Sequence, residues 1–260
     1  MSKRYPARRA RAALLAGWRA MKTVAGHGAT NGGWTIVVPV KALDRAKSRL
    51  ARALPAPARR ALVLAMATDV LRTCVATPGV ARVRVVTSDP DVAALARRLR
   101  IEIVPEPVGA ADRSGGDPLN AALTEAIRGV PGPVGVVTAD LPELRAPQLA
   151  RVLAAAVGHA HSMVPDHGGA GTTMAFWTGP AGARIPRFGP DSAARHLSEG
   201  GAVPLDEVDP SGAAGRDVDT PEDVLALAGR AVGEATAAVL RTPSVAQGAH
   251  SAGVSATMVR

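Results

Sequence analysis

A single cysteine in 260 residues, Cys74, excludes a fold stapled by disulfides. It lies in the apolar run LVLAMATDVLRTCV and reads as a small core residue of a protein kept in a reducing cytoplasm. No stretch of about 18 uncharged apolar residues occurs, so no transmembrane helix is expected. Aromatic residues amount to 2%, against 47% hydrophobic and 20% charged, a balance that fits one large globular domain and excludes an acidic disordered chain. Acidic residues are missing from positions 1–33, which carry seven Lys or Arg. From residue 34 onward 24 basic residues face 22 acidic ones. The net charge of +9 therefore belongs mostly to the N-terminal segment and does not mark a nucleic-acid or membrane partner. That segment has only a short uncharged run, Ala12 to Trp18, and no cleavage pattern; it reads as a disordered extension, not a signal peptide. Residues 230–260, mostly Ala, Gly, Ser, Thr and Val without a sustained apolar period, read as a disordered low-complexity tail.

Also missing are GxxxxGK[ST], a GxGxxG after the first strand, HExxH and GxSxG, which argues against P-loop hydrolases, ordinary dinucleotide enzymes and serine hydrolases. What is present between the tails, over 34–229, is an alternation of short β-type runs and helical segments. Such an alternation predicts an α/β domain with a mostly parallel sheet and helices on both faces. Trp34 to Val40 is a continuous apolar run of strand length, as a strand covered on both faces requires. A helix is expected over Pro57 to Ala76, where Leu62, Met66, Val70 and Leu71 share a face. Strands follow at Val83 to Thr87, Ile101 to Val104 and Val134 to Thr138, with helices at Asp91 to Leu99, Leu119 to Ile127 and Pro147 to Val157. The Gly- and Asp-rich GAADRSGGDP forms a loop. Weaker strands at Ser162 to Val164 and Thr172 to Trp177, then helices at Asp191 to Ser198 and Pro221 to Ala228, complete the domain.

Open α/β sheets bind ligands beyond the carboxyl ends of their strands. Asp140 directly follows the strand VGVVT, and Pro142 turns the chain away, so its carboxylate is expected in the crevice. A second acidic cluster, DVDTP, has the same character. Two such carboxylates suit Mg²⁺, a hard cation that takes oxygen ligands and keeps substrate phosphates in its shell. Because Asp219 or Thr220 can cap the helix that Pro221 begins, Asp217 is the first ligand candidate there and Asp219 the second. The first strand leads into a loop with Lys41, Lys47 and Arg49, cations placed where nucleotide phosphates dock. Phe188 to Ser192 ends a loop and opens a helix, presenting backbone N–H groups and a hydroxyl to an anion, although Asp191 or Ser192 can equally serve as a cap. Arg187, Arg195 and His196 flank that loop as possible charged donors. His159 and His161 read as surface or structural residues.

VPVKALDRAKSRLA, DPLNAAL, TADLP, GAGTT, RFGPDSAARH and DVDTPEDV, in this order and spread over 34–229, resemble the guanylyltransferases of coenzyme F420 biosynthesis. DTPEDV alone is common among nucleotidyltransferases; RFGPDSAARH together with PVKALDRAKSRL is far more specific. The resemblance implies a Rossmann-like nucleotide-diphospho-sugar transferase fold and transfer of GMP from GTP to a phosphorylated three-carbon acid. It also implies that Asp140 and Asp217 bind the metal and that Thr172, Gly189 and Ser192 contact phosphoenolpyruvate. Residues 1–33 and most of 231–260 have no counterpart in the family pattern.

The implied chemistry is an in-line attack of the acid's phosphate on the α-phosphorus of GTP, with positioning and charge neutralisation in place of a protein nucleophile. The expected partners are GTP and the phospho-acid, with no nucleic acid and no membrane, and a homodimer is a candidate assembly. Other readings remain: the same reaction on 2-phospho-L-lactate, a related nucleotidyltransferase with a molybdopterin or sugar phosphate acceptor, or a non-catalytic GTP-binding module. The related transferases would be expected to carry a Gly-rich LAGGxSxRMGxxK-like first loop, where this chain has VPVKALDRAKSRL.

Overall fold

The computed structural model describes residues 33–106 and 117–245. The expected N-terminal extension up to residue 32, most of the GAADRSGGDP loop and the tail beyond residue 245 lie outside the described residues.

Seven strands form one mixed sheet: β1 (Trp34–Pro39), β2 (Val80–Val86), β3 (Glu102–Val104), β4 (Val134–Val137), β5 (His161–Pro165), β6 (Thr172–Trp177) and β7 (Val203–Pro204), in the spatial order β3-β2-β1-β4-β6-β5-β7. β3, β2, β1 and β4 run parallel, β6 is antiparallel to both β4 and β5, and β7 is parallel to β5. The helices are α1 (Ala56–Ala76), α2 (Pro90–Arg98), α3 (Pro118–Ile127), α4 (Ala146–Ala156), α5 (Ser192–Ser198), α6 (Pro221–Ala226) and α7 (Glu234–Leu240). All six expected strands and the main helices are thus in place; the two-residue β7 carries too little pattern to be read.

The apolar run of β1 explains the two layers. Ile36 and Val38 enter a core built with Leu62, Met66 and Val70 of α1, Val92 of α2, Leu149 and Leu153 of α4 and Val224 of α6. Val37 points the other way, into a second core with Leu123 and Ile127 of α3 and Ala193 of α5. Alternation along a strand places consecutive side chains on opposite faces, so a strand covered twice has to be apolar throughout. Cys74 belongs to the first core, fully buried, and that burial pushes its thiol up to about 12. It packs as a hydrophobe.

The C-terminal boundary differs from the expected one. Ordered structure continues past residue 229 into α7, which packs on α1. Asp69, buried in the middle of α1, accepts hydrogen bonds from Ala235 N (3.1 Å) and Thr236 N (2.8 Å), supplying from another element the cap that Gly233 cannot provide. Gly233 approaches so closely that a Cβ there would fall on the Asp69 carboxylate. Composition alone concealed this helix because its stabilising partner lies 166 residues away.

Asp69→Ala removes both acceptors and is expected to cost about 1–2 kcal/mol, a fall of a few degrees in melting temperature. Asp69→Asn, which keeps one acceptor oxygen, should lose less. A melting temperature unchanged in the alanine variant would show that α7 does not depend on this cap.

Candidate active site

The carboxyl end of β4 and the segment before α6 meet through a backbone contact. All four residues of β4 are buried, Thr138 N donates to Thr173 O (2.9 Å), and the chain then places half-buried Asp140 before Leu141 and Leu144 return to the core. Val218 N donates to Asp140 O (3.2 Å) while the Val218 side chain is buried. Val218 is thereby the anchor of an acidic triplet. Asp140, Asp217 and Asp219 each bring a carboxylate oxygen into a group lying within 4.8 Å of one another.

The capping question resolves locally. Thr220 caps α6, accepting from Asp223 N (3.2 Å), and the Asp223 carboxylate in return accepts from Asp219 N and Thr220 N. This reciprocal arrangement satisfies the helix start and leaves the Asp219 side chain for the cluster.

Lys47 enters from the loop after β1. Its ammonium donates to both Asp140 Oδ2 and Asp219 Oδ1, and Arg49 lies 3.6 Å from the other Asp219 oxygen. Burial opposes the Lys47 charge, yet the two carboxylates raise its pKa well above the ordinary lysine value. Burial would likewise raise Asp140, and the Lys47 cation outweighs it, holding that carboxyl below its usual range. Asp217 is not bonded by Lys47: burial, with Asp140 and Asp219 beside it, outweighs the pull of the nearby ammonium and pushes it up to about 6. Lys41 is exposed at the start of the loop.

The loop is held from behind by residues that carry no sequence signature. Leu43 N donates to Asp89 Oδ2 (3.0 Å), and buried Leu43 and Leu50 pin the loop to the core. Asp89 also caps α2, and Arg60 of α1 joins it to Asp44 and Asp91.

Because β6 runs antiparallel, its beginning lies at the same sheet edge as the end of β4. The turn before it places Thr172 there, with Oγ1 buried and without a hydrogen-bond partner among the described residues. Asp166 shapes this turn, accepting from Ala170 N and Gly171 N, and His167 Nδ1 stands 3.9 Å from Asp217 Oδ1. Ala193 N donates to Ala170 O (3.1 Å), which joins the turn to the Phe188 to Ser192 loop. Asn120 clamps that loop with two hydrogen bonds to the Phe188 backbone, both 2.8 Å. Gly189 has φ +113, and a Cβ there would meet Asp117 and the Arg195 guanidinium at 3.0 and 3.2 Å. Only glycine suits that position.

Neither Asp191 nor Ser192 caps α5 through its side chain; Asp191 is left-handed and Ser192 is buried as the first helical residue. Arg195 donates to Phe188 O (2.9 Å), and Arg187 pairs with Glu199 at 3.2 Å. His196 departs from its expected role as a charged donor. It is fully buried between Phe188 and His161, and burial together with His161 and the two arginines pushes its pKa down to about 3, so it is neutral at pH 7. His161 is structural as expected, stacked on Trp177 with Nδ1 at 2.8 Å from Gly200 O.

The donor set fits a hard divalent cation. All three candidate ligands are carboxylates, Asp140 Oδ1 is buried without a hydrogen-bond partner among the described residues, and Lys47 leaves the cluster with excess negative charge. No Ser–His or Cys–His pair within hydrogen-bond reach occurs among the described residues.

The raised pKa of Asp217 carries a sign. The folded value of about 6 exceeds the ordinary 3.8, so the folded protein binds this proton more tightly than the unfolded chain does. That contribution to stability is complete below 3.8 and is lost as pH rises through 6. Asp217→Asn should therefore stabilise the metal-free protein near pH 8, by about 1–2 kcal/mol, and give no gain near pH 4. Thermal unfolding in chelator at the two pH values checks this; no gain near pH 8 would show that the carboxylate is not crowded.

A sequence family described as "Guanylyl transferase CofC like" matches residues 34–247. A phosphoenolpyruvate guanylyltransferase of Nocardia farcinica is 45% identical over 210 residues, covering 79% of this chain and 89% of its own. One from Thermomonospora curvata is 41% identical over 222 residues, covering 84% and 93%. Among solved structures, a protein from Desulfovibrio desulfuricans described as a nucleotide-diphospho-sugar transferase superposes with a TM-score of 0.57 at 13% identity, over 86% of this chain and 96% of its own, which supports the fold. With its mixed sheet, its acidic strand-end cluster and these relatives, the chain belongs to the CofC-like guanylyl transferase family of nucleotidyltransferase enzymes.

Proposed function

We propose that this protein transfers GMP from GTP to phosphoenolpyruvate, giving enolpyruvyl-2-diphospho-5'-guanosine and pyrophosphate, as a step of coenzyme F420 biosynthesis. The observation that carries the reading is the convergence of Asp140, Asp217, Asp219 and Lys47 at the end of β4, in an enzyme whose relatives bear that activity in their names. The reaction is assigned to the cytoplasm, a reading supported by the single, buried Cys74.

Asp140 and Asp217, with Asp219 beside them, would hold Mg²⁺. When bound, that ion supplies charge neutralisation on the triphosphate. Lys41, Lys47 and Arg49 bind the phosphates of GTP from the loop after β1. Thr172, Gly189 and Ser192 receive phosphoenolpyruvate: the Thr172 hydroxyl has no protein partner, Gly189 leaves the room a Cβ would fill, and Ser192 opens α5 beside it. Arg195, which already fixes the loop through Phe188 O, adds positive charge at that point. Arg187 contributes at longer range, being paired with Glu199.

An oxygen of the acceptor phosphate attacks the α-phosphorus, a new P–O bond forms, and the bond to the bridging α,β-oxygen breaks as pyrophosphate departs with its electrons. The attacking phosphate is already an anion near neutral pH, so no proton has to be removed. The side chains' task is to bring two polyanions into line, which positioning and preorganised charge accomplish.

Pyrophosphate release with GTP, Mg²⁺ and phosphoenolpyruvate, 2-phospho-L-lactate or a sugar phosphate in turn tests the reaction. Turnover is expected with phosphoenolpyruvate, and a clear preference for another acceptor would overturn the assignment. Asp140→Asn should fold normally and lose at least about a hundredfold in turnover; near-normal activity at saturating Mg²⁺ would remove it from the metal site.

Ser192→Ala separates the two substrate sites. It should raise KM for phosphoenolpyruvate several-fold and leave KM for GTP unchanged. Equal weakening of both, or of GTP alone, would take this loop out of the acceptor site.

A further inference from the structure

Lys47 stands on the carboxylates themselves. Its ammonium bonds one oxygen of Asp140 and one of Asp219, and its side chain is only 12% exposed. The backbone holds it there: Lys47 has φ 53 and ψ 49, a left-handed conformation unusual for a residue with a long side chain. The loop on either side is fixed by Leu43 N on Asp89 and by Leu50 N on Lys47 O (2.9 Å), with both leucines buried. Backbone strain persists only where the surroundings impose it, and here they do.

A divalent ion seeking Asp140 and Asp219 meets an ammonium already bonded to both. Two cations on the same pair of carboxylates repel at close range, more strongly in a partly buried site than in water. A nucleotide changes the balance, because its phosphates offer Lys47 anionic oxygens to replace the carboxylates it gives up.

Resting on the metal and phosphate roles of the preceding section, we propose that Lys47 is a tethered counter-cation that excludes free divalent ions from the Asp140–Asp217–Asp219 cluster and moves onto the nucleotide phosphates when the metal–GTP complex arrives. Metal and nucleotide then bind with positive coupling, which is reciprocal: each raises the affinity for the other by the same factor. The ammonium also keeps three like charges together while the site waits.

Titration with Mn²⁺ alone, and then in the presence of the α,β-methylene analogue of GTP, tests this without turnover. In the parent protein Mn²⁺ alone should bind weakly, and the analogue should tighten it at least tenfold. Lys47→Met should bind Mn²⁺ alone at least tenfold more tightly than the parent, and the analogue should then add little. Lys47→Gln, which keeps a hydrogen-bonding group but no charge, should behave alike and serves if the methionine variant is too unstable. Arg45→Met removes a charge from the same loop, at an exposed position, and should leave Mn²⁺ affinity unchanged. Unchanged or weaker Mn²⁺ binding in both Lys47 variants, or equal tightening in Arg45→Met, would overturn the proposal. Failure of the parent and both Lys47 variants to bind Mn²⁺ even with the analogue would instead overturn the metal site itself.

Discussion

Holding three carboxylates within 4.8 Å of one another is the demand around which this molecule is organised. Like charges at that spacing repel, and a fold that assembles them needs both a mechanical anchor and a compensating charge. The anchor is Val218, whose side chain is in the core and whose N–H reaches the carbonyl of Asp140. The compensating charge is Lys47, brought from a different strand end. The uncompensated remainder falls on Asp217, which titrates higher than an ordinary aspartate.

The loops that surround the cluster are immobilised by polar residues a step removed from it. Asp89 gathers Leu43 N, the start of α2 and Arg60; Asn120 grips Phe188 by both its N–H and its carbonyl; Asp166 closes the turn before Thr172. Each uses a short side chain with few rotatable bonds and backbone partners, which costs little conformational entropy per hydrogen bond. The loop after β1 thus hangs on α1 and α2, and the Phe188 to Ser192 loop on α3 and the β5–β6 turn.

How much of this was legible depended on distance along the chain. Asp140 could be placed because a buried strand and a proline bracket it, and Asp217 to Asp219 because a capping residue and Pro221 stand immediately after. These are local patterns. The pairing of Lys47 with acids 93 and 172 residues away has no local trace, so the loop reads from sequence as a phosphate site alone. His196 misled for a related reason: flanked by arginines in sequence, it faces His161, Phe188 and Trp177 in space, and burial decides its charge. Helix α7 was hidden because Asp69, its cap, looks like an ordinary polar residue within a long helix.

The segment leading into α7 also braces the turn beside the acidic cluster. Gly233 N donates to Pro142 O (2.8 Å) and Arg145 reaches Ala231 O (2.8 Å), so the segment leading into α7 lies against the turn that follows Asp140. During synthesis, domains are completed from the N-terminus onward. The strands and most helices can assemble while the ribosome is still extending the chain, yet the turn beside Asp140 acquires these two partners only once residues 231–236 have emerged. The turn beside Asp140 is therefore braced only after residues 231–236 have been made, and a nascent chain halted before that point would carry its acidic cluster on an unbraced turn.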